Sequence, residues 1–313
     1  MAGATTGADV FAPDITGGVS ADFFNGYFGD GSDGDSTVVV SFTAGRELHY
    51  NNLTIPAGTV FKPNGYRIFV AGTLTIEAGA SFNDDGLSAT SNAGATGLGS
   101  RNYLGGFGGQ GGNGFALTAV NFGNGTAGTN ATNTSLNNLG QAPTGGKGGD
   151  VTLRANVGGA GGTATQTTPS QKWNGRAQVD GRFTAGVFGS ASGGGGGAIN
   201  VTAYTSGTFQ AGGGGAGGGM VWIAAKNIAN SGRISANGGN GFNGVLGVGS
   251  AECAGGGGGG GGCVAIITTT PFASLGTVQV NGGIGGTGVF NVGTGVIAGT
   301  NGNQGSLFTL IVK

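Results

Sequence analysis

Glycine runs at 193–197, 212–215 and 255–262 constrain this chain more than any other feature. Each leads into a short apolar stretch: Ala198-Ile199-Asn200-Val201, Met220-Val221-Trp222-Ile223 and Cys263-Val264-Ala265-Ile266-Ile267. Glycine loses more conformational freedom on ordering than any other residue. A run placed repeatedly beside strands therefore needs a compensating gain, and close packing of side-chain-free backbone supplies one. The expectation is a rigid, extended body rather than a set of flexible linkers.

Composition separates this from disorder. Glycine supplies 79 of 313 residues, a level at which a non-periodic chain reads as low-complexity. Yet only 8% of residues are charged and 37% are hydrophobic, the reverse of a disordered chain. Six prolines and no glycine period of three along the whole chain exclude collagen. A net charge of −1 argues against nucleic acid, which needs concentrated positive charge. No window approaches the about 20 apolar residues of a membrane helix, so membrane insertion is not expected. The start, Met1-Ala2-Gly3-Ala4-Thr5-Thr6-Gly7, lacks the basic and apolar regions of a Sec-type signal. Release by cell lysis, as for a virus particle, fits that start.

Four segments follow from the pattern. Residues 1–35 read as an amino-terminal arm, with Phe23, Phe24, Tyr27 and Phe28 as candidate attachment aromatics or as ordinary core closure. Residues 36–90 are a β-rich attachment domain. Leu53-Thr54-Ile55 and Leu74-Thr75-Ile76 alternate as strands do, between turns at Pro56-Ala57-Gly58, Pro63-Asn64-Gly65 and Ala78-Gly79. Residues 91–192 are a Gly/Asn/Thr-rich region, open to ordered glycine helices or to a loop-rich binding surface. Residues 193–313 repeat one unit: Gly run, strand, turn, strand, Asn/Ala-Gly-Gly. Ile234-Ser235-Ala236-Asn237-Gly238-Gly239 returns 44 positions on at Val278-Gln279-Val280-Asn281-Gly282-Gly283. Residues 195–213 read as an earlier copy, and Arg67 to Phe82 follow the same plan.

Units this short stack to bury their faces. The fold class expected is all-β, a short-strand β-solenoid or sandwich-like repeat with interleaved polyglycine-II-type segments. At about 3.1 Å per residue, eight glycines in such a helix span about 25 Å. Without Cβ atoms, neighbouring helices can exchange backbone hydrogen bonds laterally and so pair buried peptide groups.

At these residues a family resemblance emerges. Phe28-Gly29-Asp30-Gly31-Ser32-Asp33-Gly34-Asp35, His49-Tyr50-Asn51-Asn52-Leu53-Thr54-Ile55 and Pro63-Asn64-Gly65-Tyr66-Arg67-Ile68-Phe69-Val70-Ala71-Gly72-Thr73-Leu74 resemble the opening of glycine-rich virion structural proteins of tailed bacteriophages. The match covers roughly residues 25–90. In layout the Gly-run part is similar to the tip adhesins of T-even-like phages, in which a polyglycine-II sandwich presents variable loops. It departs from them in placing strands between many of its runs. The resemblance implies a non-enzymatic exterior component, a tail-fibre, minor-tail or receptor-binding protein. It also implies a homotrimer, with other virion proteins and a host-surface glycan or outer-membrane protein as partners.

Candidate chemistry is sparse, and no cofactor or metal is expected. The single histidine, His49, has no nucleophile in a recognisable motif. Asp84-Asp85 is the one acidic pair after a strand, but neighbours on a strand point to opposite faces. Asp30-Gly31-Ser32-Asp33-Gly34-Asp35 copies part of a calcium loop, yet Ser41 stands where the bidentate Glu belongs. Asp–backbone turns explain the same motif. Cys253 and Cys263 are either small buried residues at strand ends or a disulfide. Tyr103, Phe107, Phe115 and Trp173, with Phe122, Phe183 and Phe188, either contact a ligand from Gly-rich loops or cover the flanks of the glycine core.

Overall fold

The computed structural model describes residues 10–11, 28–97, 110–129, 144–151, 156–162, 191–292, 295 and 297–312. Among them the chain is all-β, with no α-helix. An eight-stranded sheet holds β1 (Val10–Phe11), β2 (Ser36–Thr37), β4 (Leu48–Tyr50), β5 (Leu53–Ile55), β7 (Arg67–Ile76), β13 (Met220–Asn230), β16 (Cys263–Thr268) and β19 (Ser306–Ile311). A five-stranded sheet holds β3 (Phe42–Thr43), β6 (Val60–Lys62), β8 (Ser81–Asn83), β14 (Arg233–Ser235) and β17 (Thr277–Gln279). Every pairing in both sheets is parallel.

The chain enters the first sheet, turns a corner into the second, and later returns one strand further along. Met220 pairs with Cys263 and Cys263 with Ser306, a return every 43 residues. In the second sheet Arg233 pairs with Thr277, 44 residues on. Arg67–Ile76 and Ser81–Asn83 join the same two sheets beside β13 and β14. Strands of the 36–90 and 193–313 segments thus lie in common sheets.

Between the sheets, alternate residues interlock as one core: Ile68, Val70, Val221, Ile223, Val264 and Ile266 from the first, Phe61, Phe82 and Ile234 from the second. The other face of the first sheet is also covered. There Phe28 packs with Phe69, Met220, Trp222, Ala265 and Ile267. Burial on both faces explains why these strands read as continuous apolar runs rather than alternating ones.

The glycine runs leave this stack as a lattice with a three-residue period. In 255–262, the amides of Gly256, Gly259 and Gly262 donate to Phe242, Gly239 and Ala236. Those of Gly257 and Gly260 donate to Gly195 and Ser192, and those of Gly258 and Gly261 to Thr300 and Asn303. Its carbonyls accept in turn from Gly283 and Gly286, from Gly215 and Gly218, and from Gly146 and Gly149. Three segments take its protons and three others supply theirs. The surrounding segments also bond to one another around the ring: Gly239 to Ala216, Gly194 to Gly215, Gly195 to Gly146, Thr300 to Lys147, Gly302 to Gly283 and Gly238 to Asn281. The 192–198 stretch is enclosed in the same way.

Glycine is required here by space, not by dihedral angle. None of the run glycines adopts the left-handed region. A Cβ on Gly257, Gly258 or Gly259 would instead lie 2.1, 2.0 or 2.0 Å from a neighbouring carbonyl oxygen. At the rim one position in three faces out and carries a side chain. Asn281, Ile284 and Thr287 are exposed, while Gly283 and Gly286 between them are buried. Rim side chains also replace missing backbone partners. The Oδ1 atoms of Asn237, Asn240 and Asn243 each accept, at 2.8 Å, the amides of Asn281, Ile284 and Thr287.

Residues 195–213 correct the repeat reading. The strand after 193–197, β11 (Ile199–Ser206), joins an antiparallel sheet instead of stacking with β13 and β16. The preceding run travels away from the stacked sheets, so its strand emerges at the opposite end.

At the start of the stack, Gly29, Gly31 and Gly34 take positive φ and curl the aspartate motif into turns. Asp30 accepts the Ser32 amide, Asp33 pairs with Arg46 and accepts the His49 amide, and Asp35 accepts from Asn51 and Asn52. The carboxylates serve the turns. The Arg46 hydrogen bond holds the Asp33 carboxyl below its usual range. A lowered carboxyl stabilises the fold above its unfolded pKa and loses that contribution as pH falls through the folded value. Asp33→Asn is therefore expected to lower the melting temperature at neutral pH, with the difference closing below about pH 4. Melting curves of both proteins across that range test this.

Candidate functional site

At the end of the lattice remote from the parallel sheets lies a four-stranded antiparallel sheet of β10 (Asn121–Gly123), β11, β15 (Val248–Cys253) and β18 (Val289–Phe290). Beside it pair β9 (Ala116–Leu117) and β12 (Phe209–Gln210). Its remoteness follows from the chain: β15 ends at Cys253, the glycine run follows, and β16 begins at Cys263. The 254–262 stretch alone carries the chain from one region to the other.

One face of this sheet has its own core of Ile199, Val201, Phe209, Ala211, Ala251 and Cys253. Across the opposite face Phe122, Asn200, Glu252 and Phe290 stand in one row. Asn200 and Glu252 are buried, whereas Phe122 and Phe290 are 50% and 49% exposed. Along β11 the ladder slips after Val201 and after Tyr204. Such bulges re-aim side chains at sheet rims. Here Tyr204 meets the Phe209 ring edge-on, with 6.3 Å between centroids, and stays partly exposed. Val120 and Val245 on the connecting segments and Val248 at the start of β15 add exposed aliphatic surface. Rings on both faces and small hydroxyl residues (Thr202, Thr205, Ser206, Thr208) on a stiff frame make this end suited to contact, with rigid area and adaptable hydrogen bonding together.

The sequence candidates distribute as follows. Phe115 is exposed at this end, its ring lying over Gly123, and Phe122 is exposed on β10. Tyr103, Phe107, Trp173, Phe183 and Phe188 lie outside the described residues, as do Phe23, Phe24 and Tyr27. Phe28 is buried against the first sheet. Tyr204, Val248 and Phe290 were not singled out by sequence reasoning. The available signal is an aromatic just before the Ser206-Gly207 turn and another after Gly288, each near the end of a strand.

The possible disulfide is corrected. Cys253 and Cys263 form no disulfide and are both buried, one in the antiparallel sheet's core and one on the outer face of the first parallel sheet. An extended glycine run holds them apart, where a flexible loop would have let them meet. Burial pushes the Cys253 thiol up to about 12, which leaves it inert at neutral pH.

Among the described residues no three of His, Cys, Asp and Glu gather as a metal site. His49 stacks on Phe69 at 4.5 Å and meets Glu47 at 3.2 Å, within the stack's first turns. Asp85 binds Arg233, Ser235 and the Asn237 amide, while Asp84 accepts the Met220 amide. Both carboxylates thereby fasten the start of the lattice to the strands. Comparison with protein-family models, curated proteins and solved structures finds no match to this chain.

Proposed function

We propose that this protein is a non-enzymatic structural component on the exterior of a phage particle, a tail-fibre or tail-tip protein that contacts the host surface. On this reading the parallel strands are the coils of a β-solenoid, and the lattice is a polyglycine-II body that holds the antiparallel sheet away from it. The observation that carries the proposal is the placement of exposed Phe122, Tyr204 and Phe290 at the remote end of a backbone-bonded lattice. A frame this costly in glycine entropy suits a part that must reach outward without bending. The resemblance of residues 25–90 to tailed-phage virion proteins supplies the setting.

The purified protein is expected to adsorb to cells on which its particle grows and to slow infection by that particle. Replacing Phe122, Tyr204 and Phe290 together by serine should abolish both effects, with at most a small shift in melting temperature. Gold-labelled antibody is expected at the tail. Label over the capsid would make it a head decoration instead, and adsorption unaffected by the triple change would end the role given to this surface.

A further inference from the structure

We propose that the open edge of the first coil, residues 36–43, is a pairing surface for a second copy of this chain. This goes beyond the host-contact reading and does not depend on it.

Strands β2 and β3 stand last in their respective sheets. Ser36 and Val38 send their amides inward to Asn52 and Thr54, and Ala44 sends its amide to Lys62. By the alternation of a parallel ladder, the peptide groups of Thr37 and Thr43 point the other way, off the end of the stack. The side chains there are apolar: Val39 is 80%, Val40 71% and Phe42 39% exposed. Phe42 is the last ring of a ladder, 5.2 Å from Phe61, which lies 4.8 Å from Phe82. Where later coils turn on Ala57-Gly58, Ala78-Gly79 and Ser231-Gly232, this one turns on two valines.

Edges left this way invite pairing, and chains usually blunt them with charge or irregular backbone. The same end of the stack shows that device beside β4, where the Asp33 amide bonds His49 and the Asn51 amide bonds Gly34. Three aspartates and three positive-φ glycines close that half. Among the described residues the half at 36–43 has no such guard.

Two features select a second copy as the occupant. A two-fold axis through the Val39-Val40 corner would set β2 of each copy against β3 of the other and the two corners face to face, where any charge would meet a like charge. Residues 36–45 contain none. The edges of β2 and β3 are also level, both belonging to one coil. At the opposite end the first sheet runs on through β19 and β1 past the last strand of the second. Head-to-tail addition would set level edges against staggered ones, whereas head-to-head addition matches level with level.

A stable interface buries about 800 Å² per partner, more than one coil edge offers, so association is expected in the micromolar range. Sedimentation of the full chain over a micromolar series should show mass rising from 29.8 kDa toward twice that value. The Val39→Lys/Val40→Lys double variant should associate more than about tenfold more weakly, because the lysines would face one another. Val40→Cys should give a reducible cross-linked pair under mild oxidant, since both native cysteines are buried. Should the lysine variant lose its melting transition, the cross-link decides alone. A wild type that stays monomeric, a larger assembly indifferent to the lysines, or a Val40→Cys protein that never cross-links would each overturn the proposal.

Discussion

Replacing Gly258 by alanine is expected to lower the melting temperature by about 10 °C or more, or to leave the protein insoluble. The new Cβ would sit 2.0 Å from the Gly283 carbonyl oxygen and 2.4 Å from its carbon. Neither backbone can retreat. Gly283 donates to Gly259 and accepts from Gly302, while Gly258 donates to Thr300 and accepts from Gly146. Overpacking among movable side chains costs about 1–3 kcal/mol, and here the obstacle is backbone bonded in several directions. Domains hold only about 5–15 kcal/mol in reserve. Gly45→Ala is the matched control. It has open space around its Cβ position and an ordinary φ, so the change should be neutral or stabilising by up to about 1 kcal/mol. Equal melting temperatures for the two variants would mean that the run is not packed as described.

The physical reason also explains what the sequence disclosed and what it withheld. An enclosed segment needs a small residue at every position, so 255–262 is unbroken glycine and announces itself. A rim segment needs glycine only where it faces neighbours. Its signature is two glycines and one free position, as in Asn281-Gly282-Gly283-Ile284-Gly285-Gly286 or Gly158-Gly159-Ala160-Gly161-Gly162. A search for runs passes over that pattern. The described parts of 91–192 therefore read as ambiguous, although 110–115, 124–129, 145–149 and 156–162 all bond into the lattice.

Direction was hidden for another reason. Ala198-Ile199-Asn200-Val201 and Cys263-Val264-Ala265-Ile266 look alike locally, each an apolar strand after a glycine run. Which end of the lattice a strand leaves depends on how many segments precede it, a global property that no short window carries. The 44-residue spacing is visible in the sequence because it compares two segments that travel the same way, Arg233 lying beside Thr277 in a parallel pair. Candidate binding residues were the hardest to read. Phe122 and Phe290 become a row only through β11 and β15, which lie between them in the sheet and far from them in sequence.

Phe61→Ala is expected to destabilise the protein by about 3–5 kcal/mol, the usual range for a buried phenylalanine. Phe61 is fully buried between Phe42 and Phe82, so truncation removes two ring contacts and leaves a cavity between the sheets. The larger consequence concerns the lattice, which this residue does not touch. Glycine segments have little apolar surface and a high ordering cost, so they gain nothing by assembling before their ends are fixed. Those ends are strands: the 254–262 stretch passes into β16, and Asp84 and Asp85 tie its neighbours to β13 and β14. The side-chain core should therefore act as nucleus, with the lattice forming and melting along with it. In Phe61→Ala, amide exchange through 255–262 is expected to accelerate by about the same factor as exchange in β7 and β13. Protection retained in the glycine run while those strands open would mean that the lattice stands without the core, and the dependence argued here would be wrong.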